Sequence, residues 1–330
     1  MAPIPAPTLP RFRFSSFKAM PDRPLAVLLM GPTASGKTEL AVELAARFPC
    51  DVISVDSAQV YRGLDIGSAK PGPEILAATP HRLIDICEPT EAYSAARFRA
   101  DALREMAESA VRGRIPLLVG GTLLYFRALQ QGLSSLPEAD PEVRARLEGE
   151  AETLGWADLH RRLLAVDPEA GARIHPNDSQ RIQRALEVFE ITGRPLSQLQ
   201  RESGPERPLP YRLLKLVRAP RERAVLRERI AVRFQAMLDA GFEEEVRTLW
   251  ARGDLTPDLP AMRSVGYRQI LNYLLGGSSF GVMIERGVIA TRQLAKRQLT
   301  WLRAEPDCHW IFDDEDPYGQ ARRLLHHAGP

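Results

Sequence analysis

Eight residues, Gly31-Pro32-Thr33-Ala34-Ser35-Gly36-Lys37-Thr38, stand directly behind the apolar run 25–30. Their G-x-x-x-x-G-K-T spacing is chemical. Gly31 and Gly36 allow turn conformations that a Cβ hinders, so successive backbone N–H groups can converge on one anion. A helix starting near Lys37 adds its unpaired N-terminal N–H groups and positive dipole end. Lys37 supplies a mobile cation for phosphate oxygens, and Thr38 places a hydroxyl for Mg²⁺. The expected ligand is a magnesium-bound di- or triphosphate. Asp56 closes the next apolar run, 52–55, where a carboxylate can hold Mg²⁺ through water, take a proton from a nucleophile, or cap the following turn. Asp65, between Gly63 and Gly67, divides evenly between a turn and chemistry. Arg181 and Arg184 lie three apart. Residues 285–303 carry five basic side chains against one acid, with Trp301 among them, a density that suits phosphate contacts and base stacking as well as a solvated face.

The bulk numbers bound what these residues can serve. A chain of 330 residues with 44% hydrophobic content supports a large α/β domain plus an accessory one. A net charge of +2 neither demands nor forbids nucleic acid, so any basic surface must come from local clustering. Cys50, Cys87 and Cys308 are far apart, which argues against a zinc knuckle or a disulfide framework. No apolar run reaches the ~20 residues of a membrane span. Residues 1–22 are Pro-rich and read as a disordered extension rather than a targeting helix. The protein is expected to be soluble and cytoplasmic.

Short apolar runs at 25–30, 52–55, 82–86 and 115–119 alternate with helical stretches, the longest at 93–112. This is the pattern of a parallel sheet with helices on both faces and its ligand at the strand C-termini. After Pro137 only charged helical segments follow (141–166, 180–192) until a strand returns at 211–217. Helices are then expected at 220–239, 242–252, 264–275 and 286–304, with a last strand at 309–312. The expected fold is α/β, a P-loop NTPase-like parallel sheet flanked by helices, with an inserted all-helical domain. The core takes 23–135 and 207–315, the insertion 136–206, and 316–330 form a C-terminal tail. Neither a guanine-reading N-K-x-D nor an apolar run ending in Asp-Glu is present, so kinase-like or transferase chemistry is favoured over an NTP-driven machine.

Taken together, the motifs resemble the tRNA dimethylallyltransferases. They run in order: the phosphate loop, Asp56-Ser57-Ala58-Gln59-Val60-Tyr61, Asp65-Ile66-Gly67-Ser68-Ala69-Lys70-Pro71, His81-Arg82-Leu83-Ile84-Asp85, Glu91-Ala92-Tyr93, Val119-Gly120-Gly121-Thr122, His175-Pro176-Asn177-Asp178, Arg181-Ile182-Gln183-Arg184, Arg263-Ser264-Val265-Gly266-Tyr267-Arg268 and Lys296-Arg297-Gln298-Leu299-Thr300-Trp301-Leu302-Arg303. The resemblance implies transfer of the dimethylallyl group of its diphosphate to N6 of an adenosine beside the anticodon, in tRNAs reading codons that begin with U. It makes the loop a cradle for a leaving diphosphate, with Mg²⁺ as cofactor, and Asp56 the acceptor of an N6 proton. Catalytic roles are implied for Lys37, Thr38, Thr122 and Arg233, the last toward the diphosphate. Ser57, Ala58 and Gln59 would line the path of the extruded adenine. Arg144, Gln180, Arg181, Ile182, Gln183, Arg184, the 263–268 segment and the 296–303 segment would contact the tRNA anticodon stem-loop.

A monomer with no obligate protein partner and no membrane contact is expected. Leu123 stands where relatives often carry Gly, Ser68 where Thr is frequent, and no C-terminal zinc finger is present. Two rival readings remain at this level. A metabolite kinase would have no use for the basic helix, and a non-catalytic RNA-binding switch would not need Asp56.

Overall fold

The computed structural model describes residues 23–134, 136–202 and 209–329; the proposed extension 1–22 and the Pro/Gly turn at 203–205 lie outside them. In chain order the elements are β1 (Leu25–Met30), α1 (Lys37–Arg47), β2 (Cys50–Val55), α2 (Pro73–Ala78), β3 (His81–Arg82), α3 (Ala95–Val111), β4 (Ile115–Gly120) and α4 (Leu123–Gln131). Five helices follow: α5 (Pro141–Leu154), α6 (Trp156–Val166), α7 (Pro168–Arg173), α8 (Ser179–Thr192) and α9 (Leu196–Glu202). The chain then runs through β5 (Arg212–Arg218), α10 (Arg223–Asp239), α11 (Phe242–Ala251), α12 (Tyr267–Leu274), α13 (Phe280–Ala304), β6 (Cys308–Ile311) and α14 (Pro317–Ala328).

The six strands form one parallel sheet in the order β3-β2-β4-β1-β5-β6. β1 is buried along its whole length, as a central strand covered on both faces must be, which explains its unbroken apolar run. Its alternate residues feed different cores. Ala26, Leu28 and Met30 join Phe98, Phe126, Phe242 and Tyr267 on one face, while Leu25, Val27 and Leu29 pack with Leu40, Leu44 and Leu325 on the other. Helices α5 to α9 enclose a third core of their own, built on Leu147, Leu163, Ile182 and Leu186.

Three expectations change here. The run at 82–86 pairs with β2 only through His81 and Arg82. Leu83 and Asp85 take left-handed backbone conformations, and the buried Lys70 ammonium holds the Asp85 and Asp65 carboxylates, each at 2.5 Å. That ion cluster places Asp65 in a turn. The helix at 141–166 is broken at Gly155, whose φ is 84°. The segment 316–330 is no tail through 317–328: Asp316 caps α14 by accepting from the Gly319 amide, and the helix docks on α1, with the Arg47 guanidinium 4.3 Å from the Tyr318 ring.

Candidate active site

The carboxyl ends of β1, β2 and β4 deliver three loops to one edge of the sheet, where open parallel sheets bind ligands. They line a cleft of about 1160 Å³ together with α10, α13 and the segment before α12. The phosphate loop leaves β1 under tight constraint. A Cβ on Gly31 would stand 2.4 Å from the Arg218 carbonyl oxygen and 2.6 Å from Ser35 Oγ, so no other residue fits. Ser35 is buried, and its hydroxyl has no hydrogen-bond partner among the described residues. Lys37 opens α1 and donates to the Pro32 carbonyl at 3.2 Å.

Asp56 follows β2 directly. Its Oδ1 accepts from the Ala58 amide at 2.9 Å and the Gln59 amide at 3.4 Å, so the residue does cap the next turn. The cap uses Oδ1 alone; Oδ2 makes no hydrogen bond among the described residues, and Asp56 lines the cleft. The third loop is tied to the second: Thr122 Oγ1 accepts from the Ser57 amide at 3.0 Å and lies 3.3 Å from Ser57 Oγ.

The charges in this cleft act on one another. Desolvation lowers the Lys37 ammonium from its ordinary value to about 8; Asp56 and Glu39 pull it back up while Arg233 adds to the fall. Arg233, on α10, is lowered by desolvation as well, against the pull of Asp56 and Glu39. Two desolvated cations and one carboxylate thus line the same cleft. Here cations stay charged only at a cost that an anionic ligand removes.

The structure brings together Gly31, Pro32, Thr33, Ala34, Ser35, Gly36, Lys37, Thr38, Asp56, Ser57, Ala58, Gln59, Thr122 and Arg233. Arg181, Arg263, Ser264, Val265, Gly266, Arg297 and Trp301 border the same cleft. Others are placed differently. Ile182, Tyr267 and Leu302 are fully buried, so their side chains belong to the cores and cannot touch RNA. Tyr267 instead donates to Glu245 Oε1 at 2.5 Å. Arg144 and Arg184 both bond the buried Glu187, and Gln183 donates to the Arg144 carbonyl and Glu148; these groups hold the helical unit together. Gln180 and Arg268 are exposed. Lys296, Leu299, Thr300 and Arg303 turn away from the cleft into a groove of about 470 Å³ against α10.

Gln298 has a role that its motif did not reveal. Its Oε1 accepts from the Thr33 amide at 3.0 Å and its Nε2 donates to the Gly121 carbonyl at 2.8 Å. It therefore staples the phosphate loop to the Gly-Gly-Thr loop. A Cβ on Gly121 would strike that amide at 2.5 Å. Arg229, one turn before Arg233, also lines the cleft; its spacing of four from Arg233 was the available signal.

The family model described as IPP transferase matches residues 59–305. The chain is 61% identical over 308 residues to a tRNA dimethylallyltransferase of Thioalkalivibrio sulfidiphilus, covering 93% of this chain and 96% of that one. Among solved structures, it is similar to the full-length tRNA isopentenylpyrophosphate transferase of Bacillus halodurans, at 37% identity and TM-score 0.67, over 92% of this chain and 96% of the other. A eukaryotic dimethylallyltransferase described as acting on tRNA matches at 26% identity and TM-score 0.75, over 92% and 79% of the two chains. A chain with this loop, this carboxylate opposite it and these relatives belongs to the IPP transferase family.

Proposed function

We propose that the protein transfers the dimethylallyl group from dimethylallyl diphosphate to N6 of the adenosine on the 3′ side of the anticodon, in tRNAs reading codons that begin with U, and releases diphosphate. The observation that carries this reading is Asp56, held by its own turn with one oxygen unbonded, in a cleft where Lys37 and Arg233 are desolvated. The nitrogen attacks the prenyl C1, the C1–O bond breaks, and the departing diphosphate gathers negative charge. The loop amides, Lys37 and Arg233 meet that charge, which is the electrostatic contribution that usually dominates such catalysis. The attacking amine is conjugated with its ring and weakly nucleophilic, so it needs to lose its proton as the new bond forms. Asp56 accepts it.

Mg²⁺ fits the donor set in a limited way. Among the described residues no group of three His, Cys, Asp or Glu could hold a metal, and Mg²⁺ at phosphates takes most of its ligands from the substrate and water. Thr38, lining the cleft beside Lys37, is the hydroxyl we assign to it. Bound there, the ion would neutralise charge on the leaving diphosphate.

The rim cations Arg181, Arg263 and Arg297, with Trp301 as a stacking surface, support an RNA acceptor. No helix among the described residues is long and apolar enough to cross a membrane. We take the enzyme to act as a cytoplasmic monomer, where its tRNA partner is found. The test uses labelled dimethylallyl diphosphate and an anticodon stem-loop with consecutive adenines, without ATP. Label entering the RNA is the expected result. ATP-dependent phosphorylation of a small metabolite, with no label in RNA, would overturn the reading.

A further inference from the structure

Beneath the phosphate loop lies a charged group that the prenyl-transfer reaction does not touch. Arg218 ends β5, next to β1, and its residue is only 9% exposed. Its carbonyl oxygen is the atom that forbids a Cβ at Gly31, and its guanidinium lies 3.6 Å from where a Gly36 Cβ would stand. One residue thus braces both glycines of the loop from behind. The guanidinium pairs with Asp313, just past β6, and Asp313 also pairs with Arg229 on the cleft wall. Arg218 Nε is buried without a hydrogen-bond partner, as is Ser35 Oγ in the loop itself.

A largely buried ion pair is a poor device for stability alone, because desolvating the two charges offsets most of their attraction and an apolar pair would pack as well. Its position suggests another use. A cation fixed behind the loop adds to the field that the loop amides direct at the ligand, and Asp313 links that cation to Arg229, four residues from Arg233 on the same helix. Lys37 lines the ligand side; Arg218 lies behind the loop, against Asp313.

We propose that Arg218, held by Asp313, is a positioning residue that sets the shape and potential of the diphosphate loop and so tunes affinity for the prenyl donor. The inference rests on the diphosphate reading of the cleft. It is tested on the full chain with Arg218→Gln, Arg218→Lys and Asp313→Asn, by competition of inorganic diphosphate against labelled dimethylallyl diphosphate and by steady-state transfer to tRNA. Arg218→Gln is expected to raise donor KM and the diphosphate inhibition constant about tenfold, with kcat within about threefold and tRNA affinity unchanged. Arg218→Lys, which keeps the charge, is expected to recover most of the loss, and Asp313→Asn to fall between. Should Arg218→Gln not fold, the other two carry the same readout. Donor KM and inhibition constant within about twofold of wild type in every folded variant, or equal losses in donor KM, kcat and tRNA affinity, would overturn the proposal. A wild-type protein that turns over no dimethylallyl diphosphate overturns this inference and the parent reading together; normal wild-type turnover with unshifted variants overturns this one alone.

Discussion

The cleft and the helical unit formed by α5 to α9 are both rich in arginine, yet they handle charge in opposite ways. In the helical unit nearly every ion closes on a neighbour. Buried Glu187 collects Arg144, Arg184 and the Asp140 amide, and Glu190 collects Arg146 and Arg162. Asp167 accepts from the Ala170 amide and from the amide and hydroxyl of Ser197. In the cleft, Lys37 and Arg233 are desolvated with no acid in hydrogen-bond reach. Cations that complete a fold are already satisfied, whereas cations kept for a ligand are left short of partners. Arg144, Arg146, Arg162 and Arg184 thus hold the helical unit together, whereas Lys37 and Arg233 in the cleft have no acid partner among the described residues.

The sharpest way to break this contrast is at the carboxylate. Asp56→Ala is expected to lower the transfer rate by about 10²–10⁴-fold, with tRNA affinity little changed, as read by single-turnover transfer alongside a filter-binding titration. Lys37 offers the next largest effect, through pH. With its free-state value near 8, the ammonium is charged and competent for the anion below that pH and is lost above it. Donor kcat/KM should therefore fall as pH rises through about 8, and Lys37→Arg should abolish the limb.

On the helical side, Glu187→Gln removes the shared acid and is expected to cost about 1–3 kcal/mol of stability in denaturant titration, while the chemical step at saturating substrates persists. Desolvation pushes the Glu187 carboxyl up, but bonds from Arg144, Arg184 and the Asp140 amide outweigh it, so its value is lowered. A lowered carboxylate stabilises above its unfolded value and loses that contribution as pH falls through the folded one. Acid should thus loosen wild type below about pH 4 and Glu187→Gln much less. The smallest effect is at the rim: Arg181→Ala, an exposed side chain, should weaken tRNA binding a few-fold and reduce the salt slope by about one.

The sheet, the loop and the carboxylate were legible in the sequence because each depends on local signals. An apolar run followed by G-x-x-x-x-G-K-T names a buried strand and its phosphate turn, and Asp56 is placed by the strand before it. Several misplacements concern long-range partners. Nothing near Arg144 announces Glu187, 43 residues away, and nothing near Gln298 announces the Thr33 amide, 265 residues away. The left-handed backbone at Leu83 and Asp85 ends β3 early, which local β propensity does not register. Ile182, Tyr267 and Leu302 sit inside motifs that read as an RNA surface, yet all three are buried. The stripe of Ile182, Ala185, Leu186 and Val188 already marked the buried face of α8, and helical periodicity should have outweighed membership in a motif.

The division of charge between the two regions is tested most directly by equilibrium binding of labelled dimethylallyl diphosphate to wild type, to Lys37→Ala and to the pair Arg144→Ala with Arg184→Ala, each confirmed as folded by its thermal transition. Lys37→Ala should lose at least about tenfold in donor affinity, and the double variant should bind the donor as wild type does while melting earlier. Donor affinity that survives Lys37→Ala, or that falls as far in the double variant, would contradict it.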